Sequence, residues 1–221
     1  MVVQPDTIIR SDRKTLSVSI DPLGRLTVRA PKRCSEERIF AFLQEKEAWI
    51  SKHKRQREGA GARLPSENLD GFTFLLLGKE HTVSLVSGAK IGYDGENLRL
   101  FVPRESSRER LVRWLKENAK RILREVTAQT ARRMGVAYKS VSISSAKTRW
   151  GSCSGDNAVR YSFRLLYAPK EVLEYVVVHE LAHTKHKNHS AAFWDEVKRY
   201  EPAYKQKRKW LKDNAILMEI F

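Results

Sequence analysis

The sequence is poor in cysteine, lacks long apolar runs and has few acidic residues relative to basic ones. Only Cys34 and Cys153 occur among 221 residues, and they lie far apart, so no disulfide scaffold is expected. No apolar run approaches the ~20 residues that cross a bilayer, and the first residues lack the apolar core of a signal peptide. We therefore expect a cytoplasmic protein without membrane association.

The shortage of acidic residues leaves a strongly basic chain. Lysine and arginine number 42 against 26 aspartates and glutamates, which gives a net charge of +16. Basic residues dominate the segments 104–133 and 198–212, and aromatic residues are interleaved with them in the second segment. This composition favours binding of nucleic acid or nucleotides through the basic surface. A solvated basic face with inward-packed rings is the other interpretation.

The N-terminal part is predicted to form a β-hairpin followed by a helix. Apolar residues alternate over 14–30 around the turn residues 21–24 (DPLG), and Ser35 can cap a helix over 36–56. The glycine-rich segment 57–71 is the best linker candidate. We therefore expect a subdomain over residues 1–66 and a larger domain over residues 67–221.

Residues 72–133 resemble a second copy of the first unit. Strands are predicted near 72–77, 80–86 and 97–102, followed by a long helix over 108–133. A shift of 72 residues aligns LTVRAP (26–31) with LRLFVP (98–103). An internal duplication would explain this likeness, and so would two ordinary strand–helix units that share turn chemistry.

The remainder of the chain is predicted to be a sheet followed by helices. Strands are expected over 138–145 and 159–167, and helices over 170–184, 190–200 and 202–214. The fold class is therefore α+β, with N-terminal hairpin and helix units followed by a domain that has a mixed sheet and C-terminal helices.

The segment His179-Glu180-Leu181-Ala182-His183 has the H-E-x-x-H pattern. Histidines four residues apart lie on one face of a helix, so both imidazoles can bind one metal ion. Glu180 lies about 100° round the helix from His179, where it can accept a proton from a water whose pKa Zn²⁺ lowers to about 7. Two hydrogen-bonded core histidines are the alternative, which the intervening glutamate makes less attractive.

His186 and His189 are both candidates for a third ligand. On an unbroken helix His186 would lie about 10 Å along the axis from His179, too far for one ion with bonds of about 2 Å. His189 can reach the ion only if the helix stops after His183 and the chain turns back. Asn188 can support such a turn and Ser190 can cap the next helix, so we favour His189.

Two segments, KTRWGSCS (147–154) and YAPKEVLEYVVVHELAHTKHKNHSAAFW (167–194), resemble the YgjP-like metallopeptidases, relatives of the SprT-like zinc proteases. The N-terminal half is similar to that family mainly in the layout of its strands. The resemblance implies a zincin-like catalytic domain that binds Zn²⁺ through His179, His183 and His189, with Glu180 as the catalytic base.

Two positions depart from the family pattern. Thr184 stands where a bulkier apolar residue is usual, and Ser162 stands where an asparagine is expected. Neither belongs to the predicted ligand set.

The segment before the metal motif supplies the predicted substrate-binding residues. A strand edge beside the metal can receive an extended peptide, Gly151 allows close backbone approach, and Trp150 can form a wall. Lys147 and Arg149 can bind a carboxylate, a phosphate or a developing oxyanion. A buried tryptophan beside a tight turn is the structural alternative.

These features predict a zinc-dependent metallohydrolase that acts on proteins or peptides. A nucleoside triphosphate pyrophosphatase-type hydrolase is one alternative, because such activity has been suggested among YgjP-like proteins. A basic nucleic-acid-associated protein with a zinc site is another. The glutamate within the motif argues against a purely structural zinc, which usually has four protein ligands.

Overall fold

The computed structural model of the protein describes residues 3–21, 23–55 and 64–221. The contacts between residues divide the chain into two compact units, Met1–Leu64 and Pro65–Phe221. The boundary predicted from the sequence lies two residues later, between residues 66 and 67. Residues 57–63 of the predicted linker lie outside the described ranges. No helix within those ranges is both long and apolar enough to cross a membrane.

The first unit contains a three-stranded sheet of order β1-β3-β2, formed by β1 (Thr7–Ser11), β2 (Ser17–Ile20) and β3 (Leu26–Pro31). β2 and β3 pair in antiparallel fashion, which confirms the predicted hairpin; Pro22 of its turn lies outside the described residues. β1 was not predicted and pairs with β3 in parallel. Its residues are mostly exposed, so it carries no clear apolar alternation.

Two helices follow the first sheet, α1 (Glu36–Glu45) and α2 (Glu47–Arg55). The Ser35 hydroxyl caps α1 by accepting a hydrogen bond from the backbone N–H of Arg38 at 3.3 Å. The prediction of one helix over 36–56 was wrong at Lys46, whose backbone (φ −98°, ψ 5°) interrupts the helix. Both helices bury apolar side chains against the sheet: Ile39, Leu43 and Ile50 join Leu26, Val28 and Ala30.

The second unit begins with a four-stranded sheet of order β4-β5-β7-β6, followed by α3 (Ser107–Met134). Its strands are β4 (Thr73–Leu76), β5 (Lys79–Val86), β6 (Gly92–Asp94) and β7 (Arg99–Pro103). β5 and β7 are parallel, whereas β6 and β7 are antiparallel. The pairing of β1, β3 and β2 thus recurs in β5, β7 and β6.

A second sheet has the order β8-β10-β9, formed by β8 (Ser140–Ser144), β9 (Gly151–Cys153) and β10 (Ala158–Ser162). The strand predicted over 159–167 ends early, because Phe163–Tyr167 forms a 3-10 helix. All five side chains of that segment are buried, so no alternation distinguishes it from a buried strand. β9 lies at the edge of the sheet.

Three helices complete the unit: α4 (Lys170–Ala182), α5 (Ala191–Tyr200) and α6 (Tyr204–Asp213), with a short 3-10 segment over Ala215–Glu219. α4 contacts α3, α5, α6 and β9, so it is enclosed on most sides. Nine of its 13 residues are buried, which explains why its sequence is apolar nearly all round. The mixed sheets and helices confirm the α+β class.

Candidate metal centre

The end of α4 positions the H-E-x-x-H residues. His179 and Glu180 lie in its last turn, and the helix ends at Ala182 with His183 as its cap residue. After Ala182 the backbone N–H groups of Thr184 and Lys185 donate to carbonyls three residues back, at 3.0 and 3.1 Å, so the last turn tightens where the α-helix ends. The Thr184 hydroxyl donates to the Leu181 carbonyl at 2.7 Å and so satisfies a helix-end acceptor.

The start of α5 positions His189. The Ser190 hydroxyl accepts a hydrogen bond from the backbone N–H of Phe193 at 3.4 Å, which caps α5 directly after His189. The connecting segment is fastened by an ion pair between Lys185 and the buried Glu196 at 2.6 Å. The helix α4 therefore ends at Ala182, and the chain after His183 turns back so that His189 lies beside His179 and His183.

The side chains of His179, His183 and His189 converge on one point. One ring nitrogen from each lies within 4.8 Å of the others, and the Nε2 atoms of His179 and His189 are 3.2 Å apart. Two nitrogens bound to one tetrahedral zinc at about 2.0–2.1 Å would be about 3.3 Å apart. The three imidazoles therefore fit a zinc ion in both donor type and spacing.

His186 contributes its backbone rather than its ring. Its carbonyl oxygen lies 3.0 Å from Nδ1 of His183, which donates to it and thereby leaves Nε2 of His183 free to bind a metal. Because a carbonyl is common to all residues, the sequence gives no signal for this contact. It explains how a histidine at this position can lie near the centre without being a ligand.

Phe193 packs against all three imidazoles and was not identified from the sequence. Its ring centroid lies 4.9 Å from that of His179, 4.5 Å from that of His183 and 4.8 Å from that of His189. The side chain is fully buried. Its position, four residues after His189 on the next helix, is the only sequence signal that could have indicated it.

Burial favours the neutral forms of His179 and His183. Desolvation, together with the charges of the neighbouring His183, His189 and Arg208, lowers the pKa of His179 to about 3. Desolvation likewise lowers the pKa of His183. Metal binding requires unprotonated imidazoles, so these rings are in the binding form at neutral pH.

Glu180 is a buried carboxyl group pressed against a backbone. Glu180 is only 5% exposed. Burial raises the pKa of its carboxyl group to about 8, although the positive charge of Arg149 opposes this shift. A Cβ placed on Gly151 would lie 2.7 Å from Oε1 of Glu180. The glycine of β9 therefore leaves the space that the carboxyl group occupies.

A cavity of about 710 Å³, called here the main cavity, opens beside these groups. His179, Glu180 and His189 line it, as do the predicted substrate residues Trp150 and Gly151. The structure thus brings two of the four predicted substrate-binding residues to the histidines.

The other two predicted substrate residues, Lys147 and Arg149, do not line the main cavity. Arg149 lines a smaller cavity of about 330 Å³ with Arg160, Ser162 and other hydroxyl residues, and Gly151 lines both cavities. Lys147 lines neither cavity, and its Nζ atom lies 3.5 Å from a Glu219 carboxylate oxygen. Lys147 is therefore engaged in an ion pair rather than presented to the histidines.

Residues from the C-terminal helices complete the main cavity and were not assigned to it from the sequence. Trp194 stacks on His189 with centroids 5.6 Å apart, and Arg208, Leu211 and Lys212 of α6 line the cavity. The sequence marked the segment 198–212, which contains Arg208, Leu211 and Lys212, only as a candidate nucleic-acid surface. The distance along the chain between α4 and α6 hides their proximity in space.

A family model described as YgjP-like, metallopeptidase domain, matches residues 14–214. No curated protein matches the sequence. The crystal structure of the metallopeptidase zymogen abylysin from Pyrococcus abyssi is similar at 23% identity and a TM-score of 0.38, covering 41% of this chain and 92% of that one. The jannalysin zymogen from Methanocaldococcus jannaschii gives 19% identity, a TM-score of 0.38, and 42% and 95% coverage.

Proposed function

Because this chain belongs to the YgjP-like metallopeptidase family, we propose that it hydrolyses proteins or peptides with a zinc ion held by His179, His183 and His189. The family makes the chain a peptidase-like hydrolase. The observation that carries the assignment of these residues is the convergence of three imidazoles beside a buried glutamate. When bound, zinc supplies Lewis acidity that lowers the pKa of a water molecule and polarises a carbonyl group.

Glu180 is proposed to be the general base. Its carboxyl group lines the main cavity next to His179, where it can accept a proton from the attacking water and then deliver it to the leaving nitrogen. Burial raises its pKa to about 8 in the metal-free protein, and a nearby cation would favour its charged form. Its position against Gly151 limits the directions in which the carboxyl group can turn.

The edge strand β9 is proposed to align the peptide. β9 pairs with β10 on one side, and no described strand pairs with its other side. Gly151, at the start of β9, lines the main cavity and contacts Glu180. A peptide that adds to this edge by main-chain hydrogen bonds would pass beside the proposed base.

Replacement of Glu180 by glutamine tests this function. Glutamine keeps the size of the side chain but cannot accept the proton, so peptide cleavage should fall by about 10²- to 10⁴-fold. Zinc content should remain that of the wild type, because Glu180 is not among the proposed ligands. Both quantities are measured on purified protein after zinc loading, with cleavage of an unfolded protein as the assay.

Glu171→Gln is the matched control, because Glu171 lies in the first turn of the same helix and is exposed. That variant should cleave at the wild-type rate. Full activity of Glu180→Gln would contradict the proposed base, and activity that survives removal of zinc by a chelator would contradict the metal-dependent mechanism.

The nucleotide hydrolase is not favoured, since the family is one of peptidases. Nucleic-acid binding through the basic surface and a cytoplasmic location stay predictions from composition.

A further inference from the structure

The main cavity has a positively charged side that the proposed mechanism does not use. Arg208 and Lys212 are four residues apart on α6, so they lie on one face of that helix, and both line the cavity. Glu180 is the only acidic residue among the residues that line it. The cavity therefore combines two of the three imidazoles, those of His179 and His189, with two cations.

Two other basic residues of α6 have acidic partners, whereas Arg208 and Lys212 do not among the described residues. Lys207 forms an ion pair with Glu201, and Lys209 forms one with Asp213. Within residues 3–21, 23–55 and 64–221, no carboxylate lies within 4.0 Å of Arg208 or Lys212. Arg208 and Lys212 are thus unpaired cations that line the main cavity, whereas Lys205, which likewise forms no ion pair within the described residues, does not line it.

An aromatic ring holds Arg208 in place. The guanidinium carbon lies 5.1 Å from the centroid of the Trp194 ring, and Trp194 also stacks on Tyr204 at 5.2 Å. A guanidinium over an aromatic face keeps the N–H donors along its edge available for a carboxylate. Because the side chain is already positioned, less conformational entropy is lost when it binds a ligand.

Arg208 lies close to the proposed ligands. Its guanidinium lies over the ring of Trp194, and that ring stacks on His189 with centroids 5.6 Å apart. Arg208, Trp194 and His189 line the same cavity. Arg208 is therefore placed to interact with a substrate bound beside the imidazoles.

We propose that Arg208 and Lys212 form a subsite that binds a carboxylate of the peptide substrate. The inference rests on the proposed peptidase function and narrows its substrate class to peptides with a negative charge near the cleaved bond. That charge can belong to an aspartate or glutamate side chain or to a free C-terminal carboxylate. Both sources present a carboxylate, and peptides in which only one of the two is present distinguish them.

The test compares peptides that differ only in charge. One set is blocked at both ends and carries glutamate or glutamine at each position around the cleaved bond, and a second set differs only in a free or amidated C-terminus. The wild type should have a higher kcat/KM for the charged member of one set, and that set identifies the source of the carboxylate.

Variants of Arg208 and Lys212 test whether these residues of α6 cause the preference for charged peptides. A hydrogen bond to a charged group is worth enough to change kcat/KM by about 10- to 100-fold, so Arg208→Gln and Lys212→Gln should reduce cleavage of the charged peptide by amounts in that range. Cleavage of the neutral peptide should change little. Lys205→Gln is the matched control, since Lys205 is an exposed cation of the same helix that does not line the cavity.

Charge reversal provides a gain of function. Arg208→Glu should favour a peptide with lysine at the same position over its glutamate counterpart. An equal fall in kcat for charged and neutral peptides in Arg208→Gln would overturn the inference, because it would assign Arg208 to the reacting carbonyl rather than to a substrate carboxylate.

The two proposals fail in different ways. If the wild type cleaves peptides without regard to their charge, the subsite is wrong and the peptidase stands. If no peptide is cleaved, the peptidase is wrong, and calorimetric titration of the Glu180→Gln protein with the charged and neutral peptides still tests the subsite. Equal affinity for both peptides in that titration would overturn it.

Discussion

At the scale of single residues, Glu180 shows how the fold changes the chemistry of a side chain. An exposed glutamate would be charged throughout the neutral range, whereas the buried carboxyl group of Glu180 has a pKa of about 8 in the metal-free protein. The folded state therefore retains a proton that the unfolded chain releases near pH 4.5. This difference links the stability of the metal-free protein to pH.

We expect the metal-free wild type to lose stability as the pH rises from 5 to 8, relative to Glu180→Gln. The stabilisation from the retained proton is complete below the unfolded pKa and is lost as the pH rises through the folded one. The difference between the two proteins in the free energy of unfolding should change by a few kcal/mol. Urea unfolding of both proteins across this range measures it, and a pH-independent difference would contradict the assigned burial.

Histidine titration does not obscure this comparison. The lowered pKa of His179 makes both proteins lose stability as the pH falls below about 6.5, since the unfolded chain then binds a proton that the folded one does not. The effect is common to the wild type and the variant. It cancels in their difference.

The residues of the centre differ in how far the sequence predicts them. His179, Glu180 and His183 were predicted from helix periodicity. His189 was favoured over His186 because His186 on an unbroken helix lies too far from His179, and because Asn188 and Ser190 can support a turn before the next helix. The ring contacts of Phe193 and the carbonyl of His186 could not be predicted, because they depend on the path of the chain after α4. Arg208 was visible only as one charge in a basic stretch.

At the scale of elements, β9 connects the sheet to the proposed base. Gly151 has no side chain, and a Cβ at this position would lie 2.8 Å from Cγ and 3.0 Å from Cδ of Glu180. Because these atoms belong to a side chain that can rotate, the protein can accommodate a larger residue by moving Glu180. A larger residue at position 151 should therefore reduce the rate of peptide cleavage rather than the stability of the fold.

Gly151→Ala should therefore retain its fold and zinc content but lose about 10²-fold in kcat/KM, as expected for a catalytic group displaced by about 1 Å. Gly155→Ala is the control, since no atom lies within 4 Å of a Cβ there. Peptide cleavage by the two variants, with circular dichroism to verify folding, measures the effect. Equal activity in both would show that Glu180 tolerates the displacement.

The elements themselves follow from the sequence where periodicity is strong. α3 and α4 lie within a few residues of their predicted bounds, because each is long and its apolar positions are clear. β1 and β6 were missed, since both are short and largely exposed or half-buried. The 3-10 segment Phe163–Tyr167 was assigned to a strand because continuous burial leaves no periodic signal.

At the scale of the whole molecule, the same strand pairing occurs in both units. In each case an earlier strand is parallel to the last strand, the intervening strand is antiparallel to it, and a helix follows. This recurrence favours the interpretation that residues 72–133 repeat the N-terminal unit. From the sequence alone, two ordinary strand–helix units with similar turns explained the likeness equally well.

The net charge of +16 predicts salt-dependent binding to nucleic acid. If lysines and arginines neutralise phosphates, the logarithm of the association constant for duplex DNA should fall linearly with the logarithm of the salt concentration, by about 0.9 for each phosphate contact. Fluorescence anisotropy of a labelled duplex at several salt concentrations measures this slope. Absence of binding at low salt would contradict the prediction.

The third ligand of the proposed zinc site is tested most directly by the zinc affinities of His189→Ala and His186→Ala, measured side by side. Loss of an outer-shell partner reduces metal affinity by about 10- to 100-fold, so loss of a direct ligand in His189→Ala should exceed about 100-fold. His186→Ala keeps the carbonyl that accepts from His183 and should retain nearly the wild-type affinity. Wild-type affinity in His189→Ala, with loss of zinc in His186→Ala, would contradict the proposed site.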